Sequence, residues 1–203
     1  MAIARGLAAS RPAPAWGDAK ETICDLIAAA GGVLHGKVRL HKAFYFAHLF
    51  YFRDGEGLLT DHPIVRLPQG PFIDDGERLL DELRAEGVIV TGAAPVGPYQ
   101  ETVYKLVPSR SVDASTARGR AILQAVELVA NRSAVELSEL THEHSVSWQT
   151  TENGREMDIY LDLLPDETLA DMRRDIARIR EGEEAIRDRR RVGKAVVSVP
   201  TRG

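Results

Sequence analysis

The stretch from Leu40 to Phe52, LHKAFYFAHLFYF, constrains this chain more than any other. It holds six of the ten Phe and Tyr residues: Phe44, Tyr45, Phe46, Phe50, Tyr51 and Phe52. Wound as a helix, Phe44 and Tyr51 share one face, Tyr45 and Phe52 a second, and Phe46 and Phe50 a third. A helix that is apolar nearly all round must be covered nearly all round. Lys42 and Arg53 fall on the remaining side and are expected to face water. The apolar run is far short of the roughly 18–20 residues a membrane span needs, and His48 interrupts it. The segment is therefore expected to be a central helix with other helices packed around it, and no membrane partner is expected.

A chain of 203 residues suffices for one domain with a true core, or one domain plus an appendage. Its net charge of −4 argues against general attraction to nucleic acid. Cys24 is the only cysteine, so no internal disulfide can form, and a reducing, cytoplasmic location is expected. The start, MAIARGLAASRPAPAWG, has no apolar core of the secretory kind. Residues 1–17 are expected to form a flexible leader.

Asp18 to Ala30 reads as the first helix, with Ile23, Leu26, Ile27 and Ala30 on one face, Asp18 as its cap and Gly31-Gly32 as its stop. Cys24 lies beside that face and is expected to be a small buried thiol. The central helix begins near Gly36 and ends at the turn residues Asp54 to Gly57. Ile64–Leu67 is expected to be a short strand. Pro68 to Pro71 is a rigid turn, with Pro71 suited to helix entry. Phe72, Leu79, Leu80 and Leu83 suggest a helix to Glu86, stopped by Gly87. Val88–Thr91 and Thr102–Val107 read as a hairpin with a long connection. Asp113 to Ala130 is the next helix. Ser133 is expected to cap another, running into Thr141-His142, and Trp148 follows in a loop-like stretch. The fold class expected is α+β and mainly α-helical, with a small β-hairpin and a C-terminal amphipathic helix.

That last helix differs in kind. From Asp166 to Arg191 the apolar series is Leu169, Met172, Ile176, Ile179 and Ile186, a heptad stripe narrower than an ordinary core face. Residues 166–203 carry ten Lys/Arg and eight Asp/Glu, which leaves net −6 on residues 1–165. The stripe suits packing on its own domain, a homodimer seam or the docking of a partner. Leu169, Met172, Ile176 and Ile179 are its candidate partner-binding residues. The organisation expected is a leader (1–17), a domain (18–164), the amphipathic helix (165–191) and a disordered tail (192–203). Arg187, Arg189, Arg190, Arg191 and Lys194 form a small basic patch, expected to be a solvated face.

Catalytic signatures are lacking. There is no glycine-rich phosphate loop, no HExxH, no CxxC and no GxSxG. His41 and His48 lie on one side of the central helix, but two ligands without a third make a thin metal site. His142 and His144 flank Glu143; on a helix they would diverge, whereas on an extended segment they would share a face that could meet a metal. No cofactor or metal is expected, and no enzymatic activity. A helix followed by a hairpin is the order of a winged helix, which makes a DNA-binding transcriptional regulator the alternative function. Against it, Asp74, Asp75, Glu77, Asp81, Glu82 and Glu86 outnumber Arg78 and Arg84 on the would-be recognition helix, whereas phosphate contacts need the opposite sign.

Three separated pieces together resemble the Panacea domain, the SocA-like antitoxin family. The first is Leu40, Lys42, Phe44, Tyr45, Phe46, Ala47 and His48. The second is Pro63 and Ile64, closing in Gly70-Pro71. The third is Leu137-Ser138, Thr141-His142, Trp148 and Gly154. In order and spacing they cover residues from about 20 to 160. The chain departs from the pattern at Gln69, where an aromatic is usual, and at Leu67, near the place of a Trp. The resemblance implies a partly helical domain that serves as antitoxin to a toxin encoded beside it. Neutralisation would proceed by direct protein–protein binding, either masking the toxin or delivering it to an ATP-dependent protease. No catalytic residue is implied. Among the matched residues, His48, Thr141, His142 and Trp148 are polar or amphipathic enough to be surface or partner-binding residues, whereas Phe44, Phe46, Gly70 and Pro71 suit a scaffold.

Overall fold

The computed structural model describes residues 16–55 and 57–197, with side chains between Ala19 and Asp188. The elements in order are α1 (Trp16–Ala29), β1 (Val33–His35), α2 (Lys37–Arg53), β2 (Ile64–Leu67), β3 (Gly70–Ile73), α3 (Gly76–Ala85), β4 (Ile89–Val96), β5 (Tyr99–Leu106), α4 (Ala117–Ala130), α5 (Ala134–His144), α6 (Val146–Thr150), a 3-10 turn (Ile159–Leu163) and α7 (Asp166–Val197). The fold is α+β and mainly helical, as expected.

α2 is the central helix. Leu40, Ala43, Phe44 and Ala47 have no exposed surface and lie in one core with Ile23, Leu26 and Ile27 of α1 and with Ile122 and Ala125 of α4. Its covering is less complete at the far end, where Phe46 and Phe50 stack on each other while remaining half-buried. β1, β5 and β4 form a three-stranded antiparallel sheet in that order, and β2 and β3 form a separate antiparallel hairpin. The segment after α6 runs along the other edge of β2: Arg66 N–H donates to Arg155 O (2.9 Å) and Met157 N–H to Ile64 O (2.8 Å).

Several expectations are corrected. Lys42, assigned to water, is completely buried. Asp18 does not cap α1, which begins at Trp16. Pro71 belongs to a strand and not to a helix entry; it pairs with Arg66 in a two-stranded hairpin, where a missing N–H is tolerated. Phe72 therefore lies in β3, outside α3. The β4–β5 hairpin extends through the expected long connection: Val96 pairs with Tyr99, and only Gly97-Pro98 turn. α4 starts at Ala117, because residues 113–116 form a turn in which Asp113 accepts from Ser115 N–H (2.9 Å) and Thr116 caps Gly119 N–H (3.0 Å). Trp148 sits in α6, not in a loop.

The Ser133 cap is as expected: its hydroxyl accepts from Glu136 N–H while Glu136 accepts from Ser133 N–H, a reciprocal capping box. α7 continues past Arg191 to Val197, so the tail expected to be disordered from residue 192 is helical that far. Residues 1–15 of the expected leader and residues 198–203 lie outside the described residues, as do the side chains of Arg189, Arg190, Arg191 and Lys194.

Candidate functional site at the Gly70 turn

The β2–β3 turn folds over α2 where Lys42 points outward from the helix. The Lys42 ammonium donates to Gln69 O at 2.5 Å and Pro71 O at 3.3 Å, and lies 5.3 Å from the centre of the Phe72 ring. A buried ammonium needs such partners, since an unpaired charge costs several kcal/mol or sheds its proton. Burial pushes the Lys42 pKa down to about 7.

Gly70 makes this approach feasible. Its φ of +106° lies where side chains are strained, and a Cβ there would overlap Lys42 Nζ and come within 2.5 Å of Thr141 Oγ1. Thr141, on α5, is held by its own helix, its hydroxyl donating toward Leu137 O (3.1 Å) and Ser138 O (3.0 Å). Three elements far apart in sequence thus meet around one glycine.

The next layer outward is an indole. Trp148 Nε1–H donates to Leu67 O at 2.9 Å. The His142 ring stacks on the indole at 3.8 Å with an interplanar angle of 16°. The Arg66 guanidinium lies 4.4 Å from the indole centre, and its Nε–H donates to Trp148 O (3.0 Å). Desolvation and then the Lys42 charge lower the His142 pKa, while the Pro68 carbonyl pulls the other way. At the surface this leaves the Pro68-Gln69 tip, with Arg66 and His142 half-buried beside it.

The two histidines of α2 are interior groups. His41 stacks on Phe72 at 4.2 Å and its Nδ1 accepts from Ile73 N–H (3.2 Å). His48 Nδ1–H donates to Phe44 O (2.8 Å), and its Nε2 accepts from Thr60 N–H (3.3 Å). Burial lowers the His41 pKa to about 3 and the His48 pKa to about 4. The two rings are engaged separately and do not converge. Among the described residues no group of three or more His, Cys, Asp or Glu could hold a metal ion. No described helix is long and apolar enough to cross a membrane.

The candidate partner-binding residues therefore divide. His48 and Thr141 are essentially unexposed and Trp148 is 9% exposed, so none of these three presents a surface to a partner. Their sequence promise as surface groups is corrected: hydrogen bonds to nearby backbone atoms satisfy their polar atoms inside the fold. His142 alone of the four reaches the surface. Leu169 is also buried, while Met172 and Ile176 are half-buried. Arg173 ties the same end of α7 down by donating to His144 O (2.7 Å). Ile179 and Ile186 are 62% and 52% exposed, so α7 carries its stripe off the domain after Ile176.

Sequence reasoning passed over Arg66, whose only signal is a charge in an otherwise apolar strand. It also passed over Asp162. That buried carboxylate accepts from Tyr45 O–H (2.7 Å), Ser145 O–H (2.8 Å) and Ser147 N–H (2.9 Å), joining α2 to α6 and the 3-10 turn. Burial raises the pKa values of both Asp162 and Tyr45. No family model, curated protein or solved structure matches this chain.

Proposed function

We propose that this chain is an antitoxin of the Panacea, SocA-like kind, which neutralises a toxin encoded beside it by direct protein–protein binding. One observation carries the reading. The three sequence pieces that resemble the family contribute Lys42, Gly70-Pro71 and Thr141-His142-Trp148, and these residues meet at a single turn. Fragments matched by chance have no reason to assemble into one interlocked unit. The meeting of these pieces at one turn supports a common scaffold as the reason for the resemblance.

Two surfaces have the character of protein contacts. The free part of α7 exposes Ile179 and Ile186 along a heptad stripe. The β4–β5 hairpin exposes Val96 and Tyr99 at its tip, where an apolar valine and a tyrosine at 77% exposure suit a protein partner. α3 has less to offer DNA. Glu77 is paired with Lys37 (2.5 Å), while Glu82 and Glu86 are paired with Lys20 (3.0 and 2.6 Å), which uses nearby cations to balance an acidic face.

Co-expression of this chain with the product of the adjacent gene, followed by purification through a tag on this chain, tests the mode. A stable complex at fixed stoichiometry means masking. A toxin that disappears in cells with active ATP-dependent proteases, and persists without them, means delivery. A toxin that neither co-purifies nor falls in level contradicts binding of either kind.

A further inference from the structure

A cavity of about 330 Å³ lies at the root of α7, bounded by α2, α4, α5 and the first turns of α7. This volume falls within the range of small-molecule pockets, about 300–1,000 Å³. Its wall is apolar and partly aromatic: Phe46 and Phe50 stack at 6.4 Å, with Leu128 and Leu169 beside them. Its polar end is the buried Tyr45–Asp162 hydrogen bond. Asp162 has three donors on its two oxygens, so it asks for nothing more from a ligand.

Two arginines, Arg53 and Arg173, also line the cavity. Arg173 spends one nitrogen on His144 O, and its Nε is buried without a hydrogen-bond partner. The exposed Arg53 side chain makes no hydrogen bond or ion pair with another described residue. Asp166, at the lip, begins α7 and lies where the positive end of that helix suits a carboxylate. The unspent polar capacity inside the cavity is therefore the donor capacity of Arg173, with Arg53 adding a second cation and Asp166 a carboxylate at the lip.

We propose that this cavity binds a small apolar molecule bearing a single carboxylate, its body against Phe46, Phe50 and Leu128 and its carboxylate between Arg53 and Arg173. The proposal is independent of the antitoxin reading. Because Leu169 and Arg173 belong to α7, occupancy also braces the helix where it joins the domain.

Calorimetric titration of the full chain with octanoate and with 2-naphthoate tests it, each compared with its neutral amide. The expected result is saturable one-to-one binding of at least one carboxylate. Its affinity should exceed that of the amide by about tenfold or more, the worth of a charge-assisted contact. Arg53→Met, at an exposed position outside the core, should remove most of that preference. Leu128→Trp should fill the cavity and abolish binding, with its fold checked by thermal melting. Arg53→Met keeps the test decisive should Leu128→Trp fail to fold. Failure of both carboxylates to bind would overturn the proposal. So would equal affinity for acid and amide, or binding that persists in a folded Leu128→Trp protein. None of these outcomes bears on whether the chain neutralises a toxin.

Discussion

The ammonium of Lys42 occupies the space that a side chain on Gly70 would need. The two residues are 28 positions apart, and each makes sense only through the other. Lys42 can be buried because the turn brings the carbonyls of Gln69 and Pro71 to it. The turn can come that close because residue 70 has no side chain.

Gly70→Ala should therefore be among the most damaging single-methyl additions to this chain. It combines backbone strain at a positive φ with overlap on Lys42 and Thr141. The expected loss is about 3 kcal/mol or more by urea unfolding. Gly87→Ala is the control: its φ is also positive, at +70°, but a Cβ there meets nothing within 4 Å. Its cost should be the backbone term alone, about 1 kcal/mol.

The burial of Lys42 has a pH signature. The folded pKa of about 7 lies below the ordinary 10.5, so between these values the unfolded chain binds more protons than the folded one. Stability contributed through Lys42 should then rise with pH from about 7 to 10.5, by up to about 1.4 kcal/mol per pH unit. Lys42→Met removes the titrating group. The difference in unfolding free energy between wild type and Lys42→Met should thus grow in favour of wild type across that window. A flat difference would mean that the Lys42 pKa is unshifted.

His48 acts at the other end of the scale. Its folded pKa of about 4 lies below the ordinary 6.5, so its neutral form is the one the fold accepts. The associated stability is fully present above pH 6.5 and is lost as pH falls toward 4, to a total of about 3 kcal/mol. His41, lowered to about 3 by burial, extends the loss to lower pH. The unfolding free energy, read by urea titration with circular dichroism, should fall as pH drops below 6.5, and the fall between 6.5 and 4 should be shallower in His48→Gln.

Local signals in the sequence reached some of these elements and not others. The Ser133 cap and the Ile64–Leu67 strand are written in neighbouring residues and could be read there, although the Glu136 half of the capping box was not. The heptad stripe also reads clearly, but not the point at which it leaves the domain. The fate of Lys42 depended on carbonyls 27 and 29 residues away, which no local pattern reveals. β1 is three residues long and exists because it pairs with Val103 to Lys105. β3 was hidden by Pro71, which as readily starts a helix. At the site, residue types suggested polar groups facing outward. Long-range packing turned His48, Thr141 and Trp148 inward and left His142 and Arg66 at the surface.

α7 divides at Ile176, and the two parts should separate in a truncation. Removing residues 177–203 deletes the stretch that leaves the domain, so the melting temperature should change by only a degree or two. Ending the chain before Asp166 also uncovers the seat of Leu169 and removes the Arg173–His144 bond, so it should destabilise measurably, by about 2–4 kcal/mol. If the free stripe docks the partner, both truncations lose neutralisation, the first while fully folded.

The most direct measurement is growth of cells that express the adjacent gene with and without this chain. The adjacent product alone should arrest growth, and the full-length chain should restore it. An adjacent product that leaves growth unchanged, or an arrest this chain does not relieve, would contradict the antitoxin reading.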